Sequence, residues 1–170
     1  MKKYFFLVVA MLLPLSVWAV TIGIHGIQHL DVKQVQRWET KNKTTIPTIG
    51  LIFDQYGDAE SIYLSKVVSA LGTGRIYHIS LSPYWYTAEE VAHGSYNDEY
   101  KRFFWDVKKL DIKVVFRTMH EMNWWRYSRS SHPDEFRQAW ITVYNLARHT
   151  MKIQSDKLLF SLSFNSQDLP

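Results

Sequence analysis

The stretch Lys113-Val114-Val115-Phe116-Arg117-Thr118-Met119-His120-Glu121-Met122-Asn123-Trp124-Trp125 gathers the residue types that can do chemistry in this chain. An apolar, strand-like run carries a carboxylic acid, Glu121, flanked by His120 and Asn123, into a pair of indole rings, Trp124 and Trp125. Cleaving a glycosidic bond needs a carboxyl that can give and take a proton, polar groups for sugar hydroxyls, and flat aromatic faces for the C–H side of a pyranose. This segment supplies all three, with Glu121 the candidate acid. The bland alternative is a solvated Glu in a loop after a strand, beside tryptophans that serve as core or interface. A zinc-helix reading fails, because it requires histidines four residues apart around the Glu, and the position four after His120 is Trp124. His25 and His29 are the closest-spaced histidines, in a strand-to-helix loop, where they fit an active-site rim better than a metal site. No metal and no cofactor are expected.

The elements that must position these groups alternate along the chain. Thr21 to Gly26 reads as a short strand; Asp31 caps a polar helix to about Lys41; Ile46 to Phe53 is a buried strand opening into Asp54-Gln55-Tyr56. Ser61 to Leu71 has helical spacing and is closed by Gly72 and Gly74. Arg75 to Leu81 is a third strand leading to Ser82-Pro83-Tyr84-Trp85-Tyr86, and Asp98 to Leu110 is a helix with Tyr100, Phe103, Phe104 and Val107 on its inner side. The fourth strand carries Glu121. Pro133 opens a helix to about Met151, and Lys157 to Phe164 is a fifth strand. Five such steps imply a parallel sheet, whose sites lie just past the strands' C-terminal ends. Asp54, Trp85, Glu121 and Asn165 would then share one rim. Asp54 and Asn165 could equally cap loops, and the Tyr-Trp-Tyr run could be an aromatic plug instead of a sugar platform.

At the start, Lys2 and Lys3 precede an apolar run from Tyr4 to Leu15 and then Val17-Trp18-Ala19, the layout of a secretory signal peptide over residues 1–19. The run is shorter than the ~20 residues a spanning helix needs and holds Pro14, so no stable membrane anchor is expected. Secretion, or delivery to a periplasm, follows. The chain has no cysteine, so an exported form must be held by its core alone. A formal charge of +4, with no basic stripe interleaved with aromatics, makes nucleic acid a poor partner. Aromatic residues make up 15% of the chain, in keeping with a carbohydrate site, although most such rings fill core volume.

Arg117-Thr118-Met119-His120-Glu121-Met122-Asn123, followed by Pro133-Asp134-Glu135-Phe136-Arg137-Gln138-Ala139-Trp140, resembles glycoside hydrolase family 26, the β-mannanases and related β-glucanases. The resemblance extends upstream to Gly94-Ser95-Tyr96-Asn97-Asp98 and downstream to Leu158-Leu159-Phe160-Ser161-Leu162-Ser163-Phe164-Asn165. It implies an α/β fold, a (β/α)8 barrel, and a retaining hydrolase acting on a β-linked polysaccharide. In that resemblance Glu121 matches the acid/base at the end of strand 4, His120 its neighbour in the site, and Asn123 the polar residue beside it. The family usually continues Gly-x-Trp-Tyr-x-Trp, whereas this chain reads Trp124-Trp125-Arg126-Tyr127-Ser128-Arg129. The sugar-stacking role therefore stays open between Trp124 and Trp125.

A complete barrel needs about 250 residues and eight strands, while the fifth strand here runs almost to Pro170. Residues 20–170 are thus expected to form an incomplete catalytic domain, a partial barrel with about five of eight strand–helix units. A retaining mechanism requires two carboxyls ~5–5.5 Å apart, and the nucleophile is expected on a seventh strand beyond residue 170. Asp54 is the other acid at a strand end, with no nucleophile motif around it. Two further readings stand beside the hydrolase: a glycan-binding remnant without turnover, and a fragment without a stable fold.

Overall fold

The structure, a computed structural model, describes the backbone of residues 23–27 and both backbone and side chains of residues 30–83, 85–119 and 133–162. Five strands, β1 (Gly23–Ile27), β2 (Thr48–Phe53), β3 (Ile76–Leu81), β4 (Lys113–Thr118) and β5 (Leu158–Phe160), form one sheet in the order of the sequence. Every pairing is parallel. Between them run α1 (Val32–Asn42), α2 (Asp58–Leu71), the short α3 (Ala88–Ala92), α4 (Asn97–Leu110) and α5 (Pro133–Asn145), the last closed by a π-helical turn, Leu146–Thr150. Parallel crossovers are right-handed, so a sheet that always steps to the same side carries all its crossover helices on one face. That is the winding of a (β/α)8 barrel, of which five strands and the four helical crossovers between them are described.

Strand register sorts the side chains into two faces. Ile49, Tyr77, Val114 and Leu158 form one row across the sheet, and Leu51, Ile79, Phe116 and Phe160 the next. All of these are buried except Phe160, which is half-buried, because they meet the helices. Phe116 lies 5.1 Å from Phe103, 5.4 Å from Phe104 and 6.2 Å from Tyr100 between ring centroids. Phe103 in turn reaches Tyr56 at 5.2 Å. The helical spacing of Tyr100, Phe103, Phe104 and Val107 therefore sets the inner face of α4, as expected. Beneath this cluster the Tyr56 hydroxyl donates to Asp106 at 3.0 Å. Burial first, and then the Asp106 carboxylate, push the Tyr56 phenol far above its ordinary value, so it stays a neutral donor.

One charged tie joins the helical layer to the sheet's entry. Arg75 donates to both carboxylate oxygens of Glu39, at 2.5 and 3.0 Å, and to the carbonyls of Ile46 and Leu71, each at 2.6 Å. The Ile46 amide donates to the same carboxylate at 2.7 Å. Side-chain exposures of 9% for Arg75 and 15% for Glu39 make this more than a surface pair. The Arg75 hydrogen bonds hold the Glu39 carboxyl below the usual carboxylate range. A depressed carboxyl stabilises the fold above its unfolded pKa, ~4.3, and the contribution is lost as pH falls through the folded value. Glu39→Ala should therefore cost about 3 kcal/mol at pH 7, at the lower end for a broken buried pair because Arg75 keeps two carbonyls. The gap between variant and wild type should shrink below about pH 4. Urea unfolding at pH 7 and at pH 3.5 measures both, and an equal gap at the two pH values would contradict the ionised pairing.

Several boundaries differ from those expected. α2 begins at Asp58 rather than Ser61, because the Glu60 carboxylate returns to the Gly57 amide at 2.8 Å. The strand after Ile46 starts only at Thr48, since Pro47 has no amide to donate and Ile46 is engaged by Glu39 and Arg75. The helix from Pro133 was expected to run to Met151; its α-helical part stops at Asn145 and the turn widens. That wider turn lets Arg148 donate to Ile153 and Leu158 carbonyls, at 2.7 and 2.5 Å. The fifth strand is observed over Leu158–Phe160, with residues 163 and 164 of the expected span outside the described residues. For the first strand, Gly23–Ile27 is observed, and residues 21 and 22 lie outside the description. Gly72 closes α2 at φ +90°, a conformation in which a side chain would be strained.

Candidate active site

Phe53, Leu81 and Thr118 stand in register at the C-terminal ends of β2, β3 and β4, so the residues that follow them leave the sheet at one level. The Ser82 amide donates to the Phe53 carbonyl at 2.8 Å, holding two of these exits together. Thr118 points to the helical side, where its hydroxyl and that of Tyr100 are 2.6 Å apart. Met119 then adopts φ 45°, left-handed, while 1% exposed. A non-glycine residue in that region is uncommon and costs ~1–3 kcal/mol, a strain that persists only where packing imposes it. The strained residue sits two positions before Glu121 and ends the alternation of β4 just where the candidate acid follows.

Glu121, His120, Asn123, Trp124 and Trp125 lie outside the described residues, as does Asn165. Of the expected site residues, Trp85 and Asp54 are described. Trp85 follows β3 and is 73% exposed. Its neighbour Tyr86 packs edge-on against Tyr96 at 5.1 Å, and Tyr96 against Tyr100 at 4.9 Å. A line of rings thus anchors the Trp85 loop to α4. Asp54, directly after β2, is partly buried at the same end of the sheet.

Two features of this rim escaped the sequence reading. Thr87 caps α3, its hydroxyl accepting from the Glu90 amide at 3.2 Å while Glu90 returns to the Thr87 amide at 2.7 Å. The Thr-x-x-Glu spacing was the legible signal for it. Arg117, one residue from the end of β4, is on the face opposite the helices, paired in register with Ser80 and donating to its hydroxyl at 2.8 Å. An arginine inside an apolar strand run was its signal. That face is the one a closed barrel turns inward. Among the described residues no group of three or more His, Cys, Asp or Glu could hold a metal ion, and no helix is long and apolar enough to cross a membrane.

Sheet winding and strand-end loops define the fold as part of a (β/α)8 barrel. No protein-family model matches the chain, and no curated protein does. Solved structures do. The chain is similar to the GH26-CBM35 β-(1,4)-mannanase of Podospora anserina, with TM-score 0.58 at 14% identity over 86% of this chain and 41% of that one. It is similar to the YdhT protein of Bacillus subtilis, with TM-score 0.60 at 17% identity over 86% of this chain and 56% of that one. The GH26A protein of a Muricauda species gives TM-score 0.59 at 14% identity, covering 80% and 54%. The chain therefore spans about half the length of the solved structures it matches, and at these identities the likeness defines the fold.

Proposed function

We propose that this chain is the N-terminal part of a secreted, retaining β-glycan hydrolase, acting on a β-mannan-like polysaccharide with Glu121 as acid/base. The observation that supports the reading is the His120-Glu121-Met122-Asn123 motif, which follows β4 in the sequence of a chain whose fold is similar to that of a GH26 mannanase. In this mechanism Glu121 protonates the leaving glycosidic oxygen, and then, as carboxylate, takes a proton from the water that releases the glycosyl group. His120 and Asn123 orient the acid and a sugar hydroxyl, while Trp85 and one of Trp124 and Trp125 offer stacking faces.

The nucleophilic carboxyl belongs, in this reading, to a seventh strand beyond residue 170. The test is turnover: a form extended past residue 170 should hydrolyse β-1,4-mannan, and residues 20–170 alone should hydrolyse neither mannan, glucan nor activated aryl glycosides. Turnover by residues 20–170 that vanishes in Asp54→Ala would overturn it, placing the second carboxyl on β2. Export through residues 1–19 is part of the same proposal. Intact-mass measurement of the exported protein should find Val20 at its N-terminus, whereas retention of residues 1–19 would make that segment an anchor.

A further inference from the structure

Charge is sorted between the two ends of this molecule. Where the strands leave the sheet, bases stand against acids of the helices' first turns: Arg102 against Asp58, Lys101 against Asp98 and Arg137 against Asp134, at 2.5, 2.9 and 3.1 Å. The opposite end, with the strand N-termini and the loops leading into them, carries seven lysines against two exposed aspartates, Asp111 and Asp156, since Glu39 is taken by Arg75. Among the described residues only Lys157 of the seven is in an ion pair, with Asp111 at 2.5 Å. Lys41, Lys108 and Lys109 lie in the last turns of α1 and α4, where the helix dipole favours a cation. The other four have no such local reason. Lys43 and Lys152 hold left-handed backbone, at φ 49° and 53°, where glycine or asparagine is the usual residue. Lys113 opens β4, although strands are depleted in lysine, and Lys157 stands beside it, one position before the Val114–Leu158 pair.

Register makes this end flat. Thr48, Ile76 and Lys113 start β2, β3 and β4 at one level, and the loops ahead of them, residues 43–47, 72–75 and 111–112, are short. The lysines are therefore spread over a plane from α1 to β5 and do not converge on one point. A small anion needs convergent donors, and a linear polymer needs a track of them, whereas a plane of separated cations is complementary to a plane of separated anions. Strands that complete a barrel would widen this plane sideways and leave α1, α4 and their loops where they are. No helix among the described residues is long and apolar enough to cross a bilayer, so the contact would be made at its surface.

We propose that the strand-N-terminal end of this sheet docks on an anionic phospholipid surface through Lys43, Lys109, Lys113 and Lys152, all exposed, and so holds the opposite end, with its candidate site, outward. The contact is electrostatic and reversible. Each lysine held near such a surface raises affinity about fivefold, and the attraction reaches about one Debye length, ~10 Å at 0.1 M salt. No glycan chemistry enters the proposal, so it and the hydrolase reading can fail separately.

The test is co-sedimentation of the full chain with phosphatidylcholine vesicles, with and without a third of phosphatidylglycerol. Binding to the anionic vesicles at low salt is expected, with its loss at ~0.5 M salt. Lys113→Glu combined with Lys152→Glu should weaken it by about tenfold or more. Lys33→Glu with Lys101→Glu, the same change of charge at exposed sites of the opposite end, should leave it within about twofold. Acetylation footprinting of the unaltered chain guards against loss of folding: vesicles should protect Lys109, Lys113 and Lys152 and leave Lys33 and Lys101 reactive. Absence of binding at low salt would overturn the proposal, as would equal weakening by the two pairs of substitutions. Equal binding to neutral vesicles would also overturn it, assigning the contact to the apolar run from Tyr4 to Leu15. Protection of the same lysines by duplex DNA at equal affinity would make the partner a soluble polyanion instead.

Discussion

In a form of the protein that runs past residue 170, Glu121→Ala should lower turnover of unactivated β-mannan by about 10²–10⁴-fold, the range over which a positioned acid or base acts. The loss should depend on the leaving group. A sugar alkoxide needs a proton as the bond breaks, so its departure collapses without the carboxyl. A dinitrophenolate needs none, so the glycosylation step on an activated aryl glycoside should be nearly spared and only the second step, in which the carboxylate activates water, should slow. Accumulation of the glycosyl intermediate then follows, seen as a burst of phenolate. Steady-state and burst kinetics on the two substrates measure this. Equal loss on both would reassign Glu121 to a structural role.

The parts of this molecule that were legible in the sequence are those in which local pattern and tertiary demand coincide. Asp31 could be read as a cap because a short acceptor before a polar helix has one use there, and it accepts from the Gln34 amide at 3.1 Å. The inner face of α4 was legible because Tyr100, Phe103, Phe104 and Val107 share one helical face, and all four are buried. Parallel pairing followed from the strand–helix alternation. What escaped depends on contacts distant in sequence. Nothing near Ile46 says that Glu39 and Arg75 will converge on it and delay β2 by two residues. The π-helical end of the α5 segment answers to Arg148 and the carbonyls of Ile153 and Leu158, groups from the following loop and strand. At the candidate site the motif offers Glu121 as the candidate acid, which lies outside the described residues, while the left-handed Met119 and the Arg117–Ser80 bond became visible only once β4 was placed beside β3.

The largest effect on stability is expected at Phe116. Its ring is fully buried and meets Tyr100, Phe103 and Phe104 of α4 as well as Phe160 of β5 at 5.8 Å, so one side chain joins the helical layer to two strands. Phe116→Ala should cost about 4 kcal/mol, through lost transfer free energy and a cavity that four aromatic neighbours cannot readily collapse. In a chain of this size that corresponds to a fall of roughly 10 °C in Tm. Phe116→Leu, which retains most of the volume, should cost less than about 1.5 kcal/mol. Calorimetry or urea unfolding of the two variants distinguishes this from a generic surface effect, and similar small costs for both would mean that the cluster is loosely packed. Because Phe116 faces away from the sheet side that bears Arg117, the leucine variant should retain whatever glycan binding the wild type has.

The most direct measurement is the product formed by Glu121→Ala, in the extended form, from an activated aryl β-mannoside in the presence of azide. With the acid/base carboxyl removed, a small anion can enter its space and attack the glycosyl intermediate without needing to lose a proton. Assignment of Glu121 as acid/base of a retaining pair predicts azide-accelerated turnover and a β-mannosyl azide, identified by NMR. An α-mannosyl azide would instead place Glu121 as the nucleophile, and turnover indifferent to azide would remove it from the chemistry altogether.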